Sequence, residues 1–403
     1  MPTHAILRRC SIVAIAISVA LVHFTSPASA QTRPDWSGLD ARNYHDSIPA
    51  GGTLIKQVPL DAELSLPAAS AAYRLLYSTK NQRGPAVSTA ALFLPKGEPP
   101  AGGWPIIAWA HGTVGLGDNC TPSAQPVNER QVFYFSHWLK RGYAVLGTDY
   151  AGLGTPGLMS YLNGRVEAHN LVDSVKASQQ MNLPLSRKWA LVGQSQGAGA
   201  AMNGARYATE FGPELDYRGV VATGTPANVE LFLLFGAPFV PPIPVTKALT
   251  AYLIYIIAGF RDARPDLRVN SILSPLGLRL ADKAEKMCLS DFEDYLAGNG
   301  ILSGFLAAHS LGSLFSWPVI TLPNIYGALR DYMRTPGEGY NRPIFLGHGL
   351  FDIDVPITLP ASLVAELTLH RQPFQLHLYA SDHRGTVYQA ANDAAVFMKA
   401  IMR

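Results

Sequence analysis

Trp189-Ala190-Leu191-Val192-Gly193-Gln194-Ser195-Gln196-Gly197-Ala198-Gly199-Ala200 is the stretch on which the reading of this 403-residue chain turns. The apolar residues 189–192 read as a buried strand, and the small residues after Gln196 open a helix. Between them stands Gly-x-Ser-x-Gly, whose glycines allow the backbone of strand and helix to meet in a tight turn under an exposed serine hydroxyl. In a chain with 36 glycines the pentapeptide alone carries little information. Its setting, strand before and helix after, is what marks Ser195 as a candidate nucleophile. The helix N-terminus then faces any negative charge that develops on a bound carbonyl oxygen.

Outward from this turn, strand and helix patterns alternate. Residues 72–78 and 88–94 read as a hairpin closed around Asn81 and Gly84. Residues 104–110 are a continuous apolar run entering His111-Gly112-Thr113. Residues 127–141 have helical periodicity, 143–148 form a buried strand, and 166–181 an amphipathic helix. Strand 187–192, helix 196–210 and strand 218–223 follow. This succession predicts an α/β fold with a mostly parallel central sheet flanked by helices. The rhythm stops near Gly224, where Pro-rich apolar runs begin, including 229–235 and 247–260. It resumes with strand 343–347, helix 359–369, strand 374–379 and a last helix from Thr386. The expected organisation is one core, residues 31–224 and 341–403, interrupted by a mainly helical cap or lid at 225–340. Residues 31 to about 70 are expected to be irregular and to wrap the outside.

The N-terminus reads as an export signal, residues 1–30. Arg8 and Arg9 precede an apolar stretch at 11–24 that is short for a bilayer span, and Ala28-Ser29-Ala30 supplies a small-x-small cleavage site. The competing reading is an uncleaved anchor. Cleavage before Gln31 would place the protein outside the cytoplasm, secreted or periplasmic. It would also remove Cys10 and leave Cys120 and Cys288, for which an oxidising compartment predicts one disulfide; two separate buried thiols are the alternative. Apolar residues make up 48% and charged residues 15%, which demands a large core rather than disorder. A net charge of +3 with no basic stripe gives no argument for nucleic acid. Oligomeric state is not legible.

A serine hydroxyl needs a base, and the base an acid to orient it. On this type of strand-to-helix turn the partners follow in the order Ser, Asp or Glu, His, each after a late strand. Asp352 follows strand 343–347 in Gly349-Leu350-Phe351-Asp352-Ile353-Asp354-Val355-Pro356, and His383 follows strand 374–379 in Ala380-Ser381-Asp382-His383. Asp354 and Asp382 compete for the acid role, and His111 for the base. Asp352 is preferred because it opens Asp-x-x-Val-Pro; His111 precedes the nucleophile at an early strand end, where an oxyanion loop belongs. The oxyanion donors are expected to be the backbone N–H of Gln196 and that of Thr113. The bland alternative for the late loops is ordinary solvated polar residues.

His111-Gly112-Thr113-Val114-Gly115, Cys120-Thr121-Pro122-Ser123, Gly142-Tyr143-Ala144-Val145 and Thr148-Asp149-Tyr150-Ala151-Gly152-Leu153-Gly154 together resemble the secretory lipase family, the group of Candida-type lipase A. The segments around Ser195, Asp352 and His383 fit the same pattern. The likeness covers about residues 70–223 and 340 onward; the cap is similar only in position and apolar character. Gln194 stands where that family frequently has histidine, and Ala198 where a second glycine is common. The resemblance implies an α/β-hydrolase fold and hydrolysis of acylglycerols or other carboxylic esters, with no metal or other cofactor. It also implies a cap that covers an acyl site or touches a lipid interface transiently. The same three residues would equally serve a peptidase, an acyltransferase or a hydrolase of xenobiotic or polymeric esters. A non-catalytic exported binding protein is the rival from another class, and it would need none of the three together.

Overall fold

A computed structural model of the chain describes residues 34–231, 233–234, 246–308 and 311–403. Among these residues nine strands form one sheet: β1 (Leu54–Pro59), β2 (Ala69–Asn81), β3 (Gly84–Pro95), β4 (Trp104–Ala110), β5 (Ala144–Thr148), β6 (Leu185–Gln194), β7 (Asp216–Thr223), β8 (Ile344–Gly349) and β9 (Phe374–Tyr379). Their order is β1-β2-β3-β5-β4-β6-β7-β8-β9. β1, β2, β3 and β5 pair antiparallel, and every pairing from β5 to β9 is parallel.

The helices are α1 (Glu129–Leu139), α2 (Gly164–Ser178), α3 (Gln196–Phe211), α4 (Lys247–Ala263), α5 (Pro275–Ala284), α6 (Leu289–Gly298), α7 (Ile301–Ala308), α8 (Ile325–Met333), α9 (Thr358–Leu369) and α10 (Gly385–Ile401), of which α1, α2, α3 and α10 pack on the sheet. Side chains of a strand alternate between faces. In β4, Ile106 and Ala108 accordingly join the core containing Leu171, Val172 and Ala201 of α2 and α3, whereas Ile107 and Trp109 join Trp138 of α1 and Met398 of α10. With both faces buried, β4 reads as an unbroken apolar run, which is why its limits are legible in the sequence. Asn128 and Asn163 cap α1 and α2 by accepting the N–H of Gln131 and Val166.

One expectation fails. Residues 31 to about 70 are not wholly irregular, because residues 54–59 form the edge strand β1, paired to β2 with a register break between Leu54 and Lys56. The 81–84 hairpin is present with longer arms than read. In the 229–235 run, residues 229–231, 233 and 234 are helical, and 232 and 235 lie outside the described residues. The export signal, its cleavage site and Cys10 also lie outside them. Between β7 and β8 come helices α4 to α8, with α4 packed on α5 and α6, and α8 touching α2. Cys120 and Cys288 are joined in a disulfide, Cα atoms 5.3 Å apart. No described helix is long and apolar enough to cross a membrane.

Candidate active site

β6 ends at Gln194 and α3 begins at Gln196, so Ser195 takes the whole reversal itself, at φ 60° and ψ −129°. Such backbone costs a non-glycine residue about 1–3 kcal/mol and persists only where its surroundings enforce it. Here they do. A Cβ on Gly193 would overlap the carbonyl of Gly197, and one on Gly197 would overlap the carbonyl of Ala110 at the end of β4. The Ser195 N–H donates to Thr223 O at the end of β7, 2.9 Å away. Gln196 is the first residue of α3, and a first-turn N–H has no acceptor within its own helix.

The loop after β4 lies against this turn: a Cβ on Gly112 would sit 3.2 Å from Gln194 O and 3.5 Å from the Ser195 Cβ. Thr113, next in the loop, pairs its hydroxyl with that of Tyr161 at 2.7 Å. His111 is buried; its Nδ1 contacts Gly112 O at 2.7 Å and its Nε2 contacts Asp149 O at 3.2 Å. Burial pushes its pKa down, so the neutral ring is tied to backbone. Asp149 is likewise occupied, accepting from Ser123 N and the Thr89 hydroxyl, while the buried Arg74 donates to Ser123 Oγ. The strand-end motif at 148–150 therefore braces the 111–113 loop.

Asp352 and His383 meet on the loops after β8 and β9. One carboxylate oxygen of Asp352 accepts the N–H groups of Asp354 and Val355 at 3.0 and 2.8 Å. The other accepts the Nδ1–H of His383 at 2.6 Å. In the neutral ring this bond leaves the lone pair on Nε2. Nε2 is buried and has no hydrogen-bond partner, so the Ser195 hydroxyl is not bonded to it in this state. Apo sites commonly hold such contacts open until substrate binds. The two sides nevertheless adjoin. Gln194 donates its amide to His383 O at 3.3 Å, and Gly224, next to the Thr223 that holds Ser195 N, abuts the imidazole.

The competing residues are placed elsewhere. Asp354 contributes its N–H to Asp352, and exposed Asp382 accepts from Gly385 N. His348, unnoticed in the sequence, is buried on β8 with Nε2 3.1 Å from Val355 O and 3.8 Å from Asp352. Burial lowers its pKa, so as a neutral donor it pins the loop that carries the acid. Among the described residues no cluster of three or more His, Cys, Asp or Glu side chains could hold a metal ion.

With this geometry, residues 127–363 match the model of the family described as secretory lipase. The chain belongs to the secretory lipase family. Lipase A of Moesziomyces aphidis is 28% identical over 132 residues, a match spanning 32% of this chain and 26% of that one. The chain thus aligns with about a quarter of that relative's length. In structure, lipase A of Candida antarctica superposes with a TM-score of 0.66 at 19% identity, covering 86% of this chain and 83% of the other. A mutant of the rice cell wall degrading esterase LipA from Xanthomonas oryzae gives 0.67 at 20% identity, covering 88% and 99%. These neighbours show the α/β-hydrolase fold. In this member of the secretory lipase family, Gln194 is the residue that reaches across to His383.

Proposed function

We propose that this secretory lipase family member hydrolyses carboxylic esters of apolar acids through Ser195, His383 and Asp352. As Ser195 Oγ attacks the ester carbonyl carbon, His383 Nε2 takes its proton, and the carbonyl π electrons move onto oxygen. The N–H groups of Gln196 and Thr113 receive that oxyanion. Collapse expels the alkoxide, which takes the proton from Nε2. Water then attacks the acyl-enzyme and gives one proton to Nε2; collapse releases the acid and expels Ser195 Oγ, which takes that proton back from Nε2. Asp352 holds the imidazole and stabilises its charged form.

The observation that carries this reading is the Asp352–His383 pair with its buried, unpartnered Nε2, beside a serine held at positive φ. Residues 225–340 act as the cap, and the chain is exported, consistent with the Cys120–Cys288 disulfide. Exposed Leu306, Trp317, Ile320 and Tyr326 in that region support transient contact with a lipid surface. Ser195→Ala is expected to lower turnover of p-nitrophenyl esters by at least about 10⁴-fold with an unchanged circular dichroism spectrum. A folded Ser195→Ala protein with wild-type turnover would exclude the mechanism, and faster cleavage of an aminoacyl amide than of esters would make the enzyme a peptidase.

A further inference from the structure

Behind the nucleophile turn lies a carboxylic acid that the reaction does not consume. Glu167, on the first turn of α2, is fully enclosed. Its Oε1 accepts the side-chain amide of Gln196 at 2.8 Å and the backbone N–H of Leu162 at 3.1 Å. Both donors belong to functional neighbourhoods. Gln196 follows Ser195. Leu162 follows Tyr161, whose hydroxyl pairs with that of Thr113. Leu162 stands at φ 61°, a left-handed conformation uncommon for a bulky residue, so the 161–162 turn is held by its contacts. One of these is Glu167; another is the Tyr332 hydroxyl of α8, which donates to Tyr161 O at 2.8 Å.

We infer that Glu167 is a positioning residue: through the Gln196 amide and the Tyr161–Leu162 turn it sets the placement of both backbone donors that receive the oxyanion. The inference rests on the proposed roles of Ser195, Gln196 and Thr113. A glutamine side chain held at the first residue of α3 restrains the backbone of that turn, and with it the N–H it presents. The Tyr161–Thr113 contact does the same for the 111–113 loop. Preorganised donors of this kind lose their effect when displaced by fractions of an ångström.

The environment of the acid also sets a pH limit. Among the described residues no cation pairs with it; facing it are the amide of Gln196 and the phenols of Tyr150 from the loop after β5, Tyr161 from the turn before α2 and Tyr332 from α8. Burial pushes its pKa up to about 8. At neutral pH it is therefore protonated and keeps Oε1 as acceptor. Above that pKa it becomes an anion behind donors that must receive a second negative charge, which opposes the transition state. The contribution of Glu167 is accordingly full where the acid is protonated and is lost as pH rises through its pKa.

The test compares Glu167→Gln and Glu167→Ala with the wild type over about pH 6–10, measuring kcat and KM separately on a soluble ester. Glu167→Gln keeps the acceptor oxygen and cannot ionise. It is expected to retain kcat within about threefold at neutral pH and to lose the decline near pH 8. Glu167→Ala is expected to lower kcat about 10–100-fold with little change in KM, the scale of a disturbed oxyanion donor. If Glu167→Gln declines at the same pH as the wild type, or a folded Glu167→Ala keeps wild-type kcat, the inference is wrong; should Glu167→Ala not fold, the Glu167→Gln profile decides alone. Ser195→Ala runs beside them. If it stays active, the underlying catalytic reading has failed; if it is inactive while the Glu167 variants behave as wild type, only the role of Glu167 has.

Discussion

Gly224 shows how narrowly single residues hold the site. Its φ of +61° disfavours any L side chain, and a Cβ there would lie 2.8 Å from Cε1 and 3.0 Å from Nδ1 of His383. The imidazole would have to move from the bond it makes with Asp352. Gly224→Ala is therefore expected to lower kcat on soluble esters by about 10–100-fold, the scale of a misplaced catalytic group. It should also slow fluorophosphonate labelling of Ser195 in proportion. Wild-type labelling would show that the ring tolerates the methyl group and that Gly224 serves the backbone alone. Of these residues, Ser195 and His383 are legible from motif and order. Gly224 is not, because its role is a distance to a residue 159 positions away. Glu167 left one faint signal, an acid on the same α2 stripe as buried Leu171 and Ser174.

The elements differ in legibility for physical reasons. Strands buried on both faces, β4 above all, announce themselves as apolar runs, and β9 is bounded by polar loops on both sides. β1 escaped because a bulge between Leu54 and Lys56 breaks its period of two and Pro59 closes it, both devices of edge strands. Asp352 and Asp354 stand two residues apart in one loop, and only the fold shows that the first carboxylate meets His383 while the second residue lends its N–H. The disulfide was readable as a pairing that ties a loop of the core to the later insertion; the fold adds the backbone contacts around it. The backbone of Cys288 pairs with that of Gly115, and Leu289 N donates to Val114 O at 2.8 Å, so the segment between α5 and α6 lies on the segment that continues the 111–113 loop. A Cβ on Gly115 would sit 2.5 Å from Met287 O. Closing a separation of 168 residues, the bridge is expected to contribute about 2–5 kcal/mol. Denaturant unfolding of Cys120→Ser/Cys288→Ser against the wild type, with and without reductant, measures it. The variant should unfold at lower denaturant and be indifferent to reductant; equal midpoints would mean that the backbone contacts alone hold the segment between α5 and α6 to this loop.

For the whole molecule, the distribution of apolar surface matters more than charge. A net charge of +3 over 403 residues gives little electrostatic pull toward any surface. Most large apolar side chains are buried, yet Trp317 and Ile320 remain 64% and 61% exposed in the region between β7 and β8, and Phe351 is 67% exposed beside Asp352 on the acid-bearing loop. Exposed tryptophan and isoleucine raise association with an apolar interface by the area they bury there. Under the proposed function, a water-soluble short ester would reach Ser195 without any interface, whereas an emulsified long-chain acylglycerol would not. The double change Trp317→Ser/Ile320→Ser is therefore expected to weaken binding to uncharged phosphatidylcholine vesicles by about tenfold. Hydrolysis of emulsified triglyceride should fall with it, while kcat/KM for p-nitrophenyl acetate stays at the wild-type value. Equal losses on both substrates would place these residues in the support of the active site instead. Unchanged vesicle binding would overturn the proposed lipid contact through Trp317 and Ile320, and Phe351→Ser would then test the loop beside Asp352.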